Sequence, residues 1–173
     1  MKKLLVIIDY QNDFVDGTLG FPQAVVLEKH IAQAMRTFKE KNQDIILTKD
    51  THNPNYLNTQ EGENLPVAHC IKGTPGHDFY GEIDLLSKGC KIIEKPAFPS
   101  LELGEYLKGK DYDEITVMGI VSHICVISNC VIIKAALPEA KIIVDTQGIA
   151  SFDEKLHKEA LDVMSQGLQI TLK

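Results

Sequence analysis

Short runs of aliphatic residues alternate along the chain with segments in which apolar residues recur every three or four positions. The runs are rich in β-branched residues, as in strands buried on both faces of a parallel sheet. The intervening segments have the spacing of amphipathic helices that pack on such a sheet. We therefore expect strands at residues 4–8, 43–48, 91–94, 115–120, 141–145 and 168–172, and helices at 24–41, 101–108, 124–136 and 152–164.

The alternation of strand and helix predicts a doubly wound α/β fold with six strands. A chain of 173 residues suits one domain, here residues 1–173. Ligands of doubly wound sheets bind beyond the carboxyl ends of the strands. The residues that follow each predicted strand are therefore the first candidates for a functional site.

Cys125 lies where one strand is followed at once by a turn and a helix. Gly119 allows a tight turn, Ser122 is an acceptable N-cap, and from Ile124 the apolar residues fall at helical spacing. A thiol in the first turn of a helix is close to the positive end of the helix dipole, which favours the thiolate. The alternative is a buried structural cysteine, a description that fits Cys130 in the body of the same helix.

Two further strands end on an ionisable residue. Asp9 follows the first aliphatic run, and Lys95 follows KIIE, directly before a proline. Poor solvation would raise the pKa of Asp9 toward the range of a general base, although the side chain could instead cap the next turn. Lys95 would stabilise a nearby thiolate and lower the pKa of Asp9, unless it is simply a solvated lysine. Phe14 offers an aromatic face close to Asp9.

A fourth strand end carries the sequence Asp50-x-His52 and leads into a long loop over residues 53–81. Loops of this length within a compact domain are usually functional. If the loop folds back, Asp50, His52 and His69 form an oxygen and two nitrogen ligands with open positions, a set that suits Zn²⁺ or a related ion. A hydrogen-bonded loop without a metal is the alternative.

Composition narrows the classes of function. The net charge of −6 argues against nucleic acid or an anionic membrane as a partner. The 4 cysteines are irregularly spaced and form no CxxC pair, which disfavours a disulfide framework and indicates the reducing cytoplasm. The first apolar run is too short for a secretory signal or a membrane span. Small molecules are the expected substrates.

Together these segments resemble the isochorismatase-like cysteine hydrolases, particularly their nicotinamidase branch. The phrases that carry the resemblance are DYQNDF, TKDTH, HCIKGTPG, EKPAF and GIVSHICV, in the right order over nearly the whole chain. The resemblance implies a three-layer sandwich, a six-stranded parallel sheet with helices on both faces, commonly assembled as a homo-oligomer. It also implies hydrolysis of a small amide, with nicotinamide as the expected substrate.

The resemblance further implies roles for individual residues. Cys125 matches the family nucleophile, Asp9 the acid/base that takes the thiol proton, and Lys95 the third member of the triad. A non-proline cis peptide bond is expected between Ile120 and Val121. The N–H groups of Val121 and Cys125 then form the oxyanion hole.

A divalent metal ion is implied as well. In nicotinamidases it holds the pyridine nitrogen of the substrate, and Zn²⁺ is expected here, with Mn²⁺ or Fe²⁺ as alternatives. The fourth ligand varies in position among these enzymes; Glu61 is the candidate, followed by Glu63 or water. Phe14 matches an aromatic residue that packs on the pyridine ring. The matching metal ligands are Asp50, His52, His69 and Glu61.

Three departures from the family pattern bear on the choice of amide. Pro66 stands where nicotinamidases commonly have an aromatic residue, His123 replaces a frequent aspartate, and the chain has no tryptophan. The alternatives are a hydrolase of a carbamoyl compound or another amide, and a non-catalytic binding member of the fold. A vinyl ether hydrolase of the isochorismate type would not need Cys125.

Overall fold

The computed structural model describes residues 1–173 and contains one six-stranded sheet in which all strands are parallel. Its strands are β1 (Lys3–Ile8), β2 (Asp44–Asp50), β3 (Lys91–Lys95), β4 (Glu114–Ile120), β5 (Lys141–Ala150) and β6 (Thr171–Leu172). They lie in the order β3-β2-β1-β4-β5-β6, so the winding reverses between β1 and β4. This order confirms the predicted doubly wound fold and places a ligand crevice at the carboxyl ends of these two strands.

Helices cover both faces of the sheet. In β1, Leu4 and Val6 enter the core beneath one helical layer, whereas Leu5 and Ile7 enter the core beneath the other. Because successive strand side chains point to opposite faces, a strand covered on both sides must be aliphatic throughout. No helix has the length and apolarity required to cross a membrane. The helices are α1 (Asn12–Val15), α2 (Pro22–Val25), α3 (Glu28–Glu40), α4 (Gln60–Asn64), α5 (Gly81–Ser87), α6 (Leu101–Leu107), α7 (Ile127–Ala136) and α8 (Glu154–Asp162).

Gly119 lets the two central strands approach closely at the edge where the crevice opens. Its φ of +121° lies outside the range that side chains favour, and a Cβ there would come 2.1 Å from the carbonyl oxygen of Ile8. Ile8 and Gly119 are register partners in the parallel pair. Asp9, which follows Ile8, therefore leaves the sheet beside Ile120, the last residue of β4.

Several predicted boundaries were wrong. The helix expected at residues 24–41 is divided into α2 and α3, and β5 continues past Asp145 to Ala150. The last strand is only two residues long. The loop at residues 53–81 contains α4 and two short 3₁₀ turns, Tyr56–Asn58 and Pro75–His77. Its apolar residues lack periodicity because each of these segments is too short to show one.

The last helix begins at Glu154, two residues later than the predicted residue 152. Asp153 caps α8, since its Oδ1 accepts a hydrogen bond from Leu156 N–H at 2.9 Å. Ser151 Oγ instead accepts from Asp153 N–H at 2.9 Å and pairs with His123 Nδ1 at 2.9 Å. Both residues suit an N-cap, and the longer path of β5 moves the helix start past Ser151.

Candidate active site

The side chains of Asp9, Lys95 and Cys125 meet beyond the ends of β1, β3 and β4. Lys95 Nζ lies 2.7 Å from Asp9 Oδ2 and 3.8 Å from Cys125 Sγ, and it donates a hydrogen bond to Ala97 O at 3.0 Å. The three residues are 0%, 1% and 6% exposed, respectively. The structure thus brings together a thiol, a carboxylate and an ammonium group that the sequence places far apart.

One carboxylate oxygen of Asp9 accepts a hydrogen bond, and the other faces the Lys95 ammonium group. Thr48 Oγ1 donates to Asp9 Oδ1 at 2.6 Å, whereas Oδ2 faces the Lys95 charge but accepts no well-aligned hydrogen bond. The side chain does not cap the following turn, which removes that alternative. Burial raises the pKa of Asp9, and the charge of Lys95 opposes this effect. Oδ2 is therefore the oxygen available for a proton.

Cys125 lies in a π-helical turn, Ser122–Val126, that joins β4 to α7. Burial raises the pKa of the Cys125 thiol well above its ordinary value; the charge of Lys95 opposes this effect, while the nearby Asp9 carboxylate adds to it. Desolvation and the neighbouring carboxylate therefore act against the stabilisation of the thiolate that we expected from the helix start. A thiol in these surroundings needs a neighbouring base to become a nucleophile.

The turn around the thiol differs in one detail from the sequence prediction and agrees in another. Ser122 does not cap the turn, and its Oγ instead pairs with His157 Nδ1 at 2.8 Å. The peptide bond between Ile120 and Val121 is cis, which confirms the expectation. Cys130 is fully buried in the core. The buried, structural position expected for that thiol is confirmed.

The long loop folds back so that four predicted ligand residues form one cluster. The ligand atoms of Asp50, His52, Glu61 and His69 all lie within 4.8 Å of one another. Glu61 Oε1 is 3.7 Å from both His52 Nε2 and His69 Nε2, and Asp50 Oδ2 is 2.9 Å and 3.4 Å from the same nitrogens. Ligands at tetrahedral zinc are separated by about 3.4 Å, given metal–ligand bonds of 2.0–2.2 Å. The cluster therefore fits a zinc-like ion in donor type and spacing.

Neighbouring groups orient these ligands. His69 Nδ1 donates to Val67 O at 2.8 Å, so its Nε2 is the ring nitrogen directed into the cluster. The Tyr56 ring packs against both histidine rings, with centroids 4.6 Å from His52 and 4.9 Å from His69. Glu63 is exposed and lies outside the cluster, so α4 presents only Glu61.

The charges in the cluster suit a cation. Burial works against ionisation of Asp50, but hydrogen bonds from His52 and His69, with the charge of Lys95, hold its pKa well below the usual range. Burial raises the pKa of Glu61, and Asp50 adds to the effect. A bound cation would remove the repulsion between the two carboxylates.

Gln11 is a buried residue of this site that sequence reasoning missed. Its Oε1 accepts from Asp50 N–H at 2.7 Å, and its Nε2 donates to Asp50 O at 2.9 Å and to His77 O at 3.0 Å. These three hydrogen bonds hold the end of β2, at Asp50, next to the part of the long loop that contains His77. Its place in the phrase DYQNDF, two residues after Asp9, was the only available signal.

A cavity of about 480 Å³ opens between the triad and the metal-binding cluster. Phe14 lines it, and its ring centroid lies 5.4 Å from that of His69. His77, another loop histidine, pairs with Thr51 Oγ1 and is not part of the lining. Ten of the fourteen lining residues are hydrophobic. The lining consists of Phe14, Leu19, Gly20, Phe21, Asp50, Glu61, Leu65, His69, Phe98, Ile120, Val121, Ile124, Cys125 and Phe152.

Comparison with known proteins identifies one family by two routes. The isochorismatase domain family matches residues 3–172. A protein of Bacillus subtilis (strain 168), named as an uncharacterized isochorismatase family protein, is 33% identical over 174 residues, with 93% of each chain covered. The likeness extends over nearly the whole of both sequences.

Two solved structures have the same fold. A pyrazinamidase/nicotinamidase from Streptococcus mutans UA159 superimposes with a TM-score of 0.89 at 26% identity, over 99% of this chain and 100% of that one. A pyrazinamidase of Pyrococcus horikoshii in complex with zinc gives a TM-score of 0.85 at 24% identity, over 100% and 99% of the two chains. At the latter identity the likeness concerns the fold alone.

Proposed function

The chain belongs to the isochorismatase family, and we propose that it is a metal-assisted cysteine amidohydrolase that converts nicotinamide to nicotinic acid and ammonia. The observation that carries the proposal is the meeting of Asp9, Lys95 and Cys125 in one buried group beside a four-residue metal-binding cluster. One cavity gives access to both. The relatives support amide C–N hydrolysis, because the Streptococcus mutans structure is named for it.

In the first half of the proposed reaction, the Cys125 thiol proton moves to Asp9 Oδ2 as sulfur attacks the amide carbonyl carbon. The charge of Lys95, 2.7 Å from Asp9 Oδ2 and 3.8 Å from Cys125 Sγ, balances one negative charge before and after the transfer. The N–H groups of Val121 and Cys125 stabilise the developing oxyanion. Asp9 then gives the proton to the leaving nitrogen, and ammonia departs from a thioester.

In the second half, Asp9 takes a proton from water as the water oxygen attacks the thioester carbonyl. The carbon–sulfur bond breaks, the acid is released, and the proton returns from Asp9 to the thiol. The sum is one amide and one water converted to one acid and one ammonia. Burial favours this route, since the raised pKa of Asp9 makes it a stronger base than an exposed carboxylate.

Asp50, His52, Glu61 and His69 would hold the divalent ion, for which Zn²⁺ is the expected identity and Mn²⁺ or Fe²⁺ are alternatives. When bound, it supplies a Lewis-acid position for the ring nitrogen of the substrate. Phe14 lines the cavity beside His69, and its ring offers a face for the pyridine.

The lining of the cavity favours an uncharged aromatic amide over a carbamoyl amino acid. No lysine or arginine is among the lining residues, so a substrate carboxylate would lack a partner on the cavity wall. The hydrophobic lining instead suits a planar ring. This is why nicotinamide is preferred to the carbamoyl compounds among the alternatives.

Ammonia release from a panel of amides tests the proposed function. Wild-type protein should hydrolyse nicotinamide faster than an N-carbamoyl amino acid, and Cys125→Ala should abolish turnover. Cys130→Ala is the matched control, since it removes a buried thiol from the core and leaves the cavity unchanged. A Cys125→Ala protein that is folded and still releases ammonia would overturn the proposal, as would wild-type protein that hydrolyses no amide.

Other sequence predictions stay predictions. They are a single domain over residues 1–173, a cytoplasmic location, assembly as a homo-oligomer, and the absence of nucleic-acid or membrane partners. We include the single domain in the proposal, because residues of both functional clusters stand at the ends of strands of one sheet.

A further inference from the structure

Phe152 stands at the boundary between the cavity and solvent. Its side chain lines the cavity, yet the residue is 61% exposed. An exposed phenylalanine ring beside a hydrophobic cavity can shield whatever occupies that cavity from water. No step of the proposed reaction uses this residue.

The ring of Phe152 is held between two other rings. Its centroid lies 5.2 Å from that of His123 at 77°, and 6.0 Å from that of Phe21 at 83°. Both are edge-to-face arrangements, which aromatic pairs favour. Phe21 is itself part of the cavity lining, so Phe152 continues the wall outward.

The backbone on both sides of Phe152 is fixed by hydrogen bonds. Ser151 Oγ accepts from Asp153 N–H and pairs with His123 Nδ1, each at 2.9 Å. Asp153 Oδ1 in turn caps α8. His123 lies two residues before Cys125. The hydrogen bond between Ser151 and His123 therefore connects the residue before Phe152 to the turn that carries Cys125.

We infer that Phe152, positioned by His123 and Ser151, forms the rim of the active site and sets the largest ring that the enzyme accepts. The inference rests on the proposed function and deepens it by naming the residue that limits the substrate class to single-ring amides. Removing the ring widens the cavity on its solvent side and gives room for a second fused ring. It leaves the triad and the metal-binding cluster in place.

Steady-state kinetics with nicotinamide and quinoline-3-carboxamide test this inference. Phe152→Ala should raise KM for nicotinamide about three- to tenfold, the effect of losing one aromatic contact, with kcat changed less than twofold. The ratio of kcat/KM for the larger amide to that for nicotinamide should rise at least tenfold. Phe152→Tyr should restore both values. An unchanged ratio in Phe152→Ala would overturn the inference.

Two further variants separate positioning from general damage. His123→Ala should shift the same ratio in the same direction but less, because the Phe152 ring remains and only its support is lost. Leu85→Ala removes an equally exposed apolar side chain, 63% exposed, that is outside the cavity lining, and should leave the ratio unchanged. A shift in Leu85→Ala as large as that in Phe152→Ala would also count against the inference.

A measurement without substrate distinguishes failure of this inference from failure of the proposed function. Cys125 alkylation by iodoacetamide and by the bulkier N-phenylmaleimide is followed by peptide mass spectrometry at one pH. Phe152→Ala should accelerate the bulky reagent several-fold more than the small one. Equal acceleration would overturn the rim role, even if nicotinamide is hydrolysed. Selective acceleration would support the rim even if nicotinamide proved not to be a substrate.

Discussion

Lys95 Nζ lies 3.3 Å from Asp50 Oδ1, so one ammonium group contacts both the metal-binding cluster and the triad. Asp50 directs its other oxygen, Oδ2, toward His52 at 2.9 Å. The ion pair between Lys95 and Asp50 therefore joins the triad to the metal-binding cluster. Because Lys95 is 1% exposed, its positive charge is stabilised only by the groups around it, chiefly Asp9 and Asp50.

Replacing Lys95 should destabilise the fold as well as the reaction. Lys95→Met leaves the buried Asp9 carboxylate without its partner, and losing one member of a buried pair costs about 3–5 kcal/mol. Urea unfolding measures the free energy of unfolding. The double variant Asp9→Asn, Lys95→Met should recover much of that loss, because no uncompensated charge remains. A single variant within about 1 kcal/mol of wild type would show that the pair is not buried as described.

The convergence of the triad could be predicted because parallel strands bring their carboxyl ends to one edge of a sheet. Asp9, Lys95 and Cys125 each follow an aliphatic run, and the strand order brings the ends of those strands close together. The raised pKa of Cys125 could not be predicted, since it depends on burial and on charges brought close by the fold rather than on local position.

The surroundings of the metal-binding cluster were beyond sequence reasoning for a different reason. The contacts that Gln11 and Tyr56 make with the cluster depend on the path of the long loop, and no local sequence pattern specifies that path. The sequence left Glu61, Glu63 and water open as the fourth ligand, with Glu61 as the candidate. The structure separates the two glutamates because α4 turns only Glu61 toward the histidines. Phe152 gave no signal, as an exposed phenylalanine in a strand-to-helix connection is unremarkable in sequence.

Activity should depend on pH through Asp9. Asp9 accepts the thiol proton only in its ionised form, so kcat/KM falls as the pH drops through the Asp9 pKa. Burial raises that pKa, and the decline should therefore begin above the ordinary aspartate value of about 4. Kinetics across acidic pH, with circular dichroism to confirm that the protein remains folded, check this. Constant kcat/KM down to pH of about 4 would argue against Asp9 as the base.

Removing the metal should weaken substrate binding. Exhaustive chelation is expected to raise KM strongly, and added Zn²⁺ should reverse the effect, because the ion is proposed to hold the ring nitrogen. Metal content and kinetics are measured on the same sample. Full activity in protein shown to be free of metal would remove the ion from the account.

Glu61 and Glu63 form a matched pair for testing the fourth ligand. Glu61→Gln should weaken Zn²⁺ affinity by more than about tenfold, the lower bound seen when even an outer-shell partner is disturbed. Glu63→Gln should leave affinity unchanged, since that side chain is exposed outside the cluster. Calorimetric titration of the two variants decides the point, and equal affinities would exclude Glu61 as a ligand.

Gln11 should contribute to stability as well as to the site. Gln11→Leu removes three buried hydrogen bonds, and the backbone groups left unpaired should cost about 2–4 kcal/mol. Urea unfolding of Gln11→Leu is compared with that of Gln33→Leu, an exposed glutamine on α3. Unfolding of both variants at the same urea concentration would contradict this stabilising role of Gln11.

The most direct measurement is to trap the acyl group on sulfur. Wild-type protein is mixed with nicotinamide, quenched in acid during turnover, digested, and examined by mass spectrometry. The account predicts a nicotinoyl group in place of the thiol hydrogen on the peptide that contains Cys125, and none on the peptides of the other three cysteines. Ammonia release by wild-type protein with equal velocity in Cys125→Ala, and no acylated peptide, would contradict it.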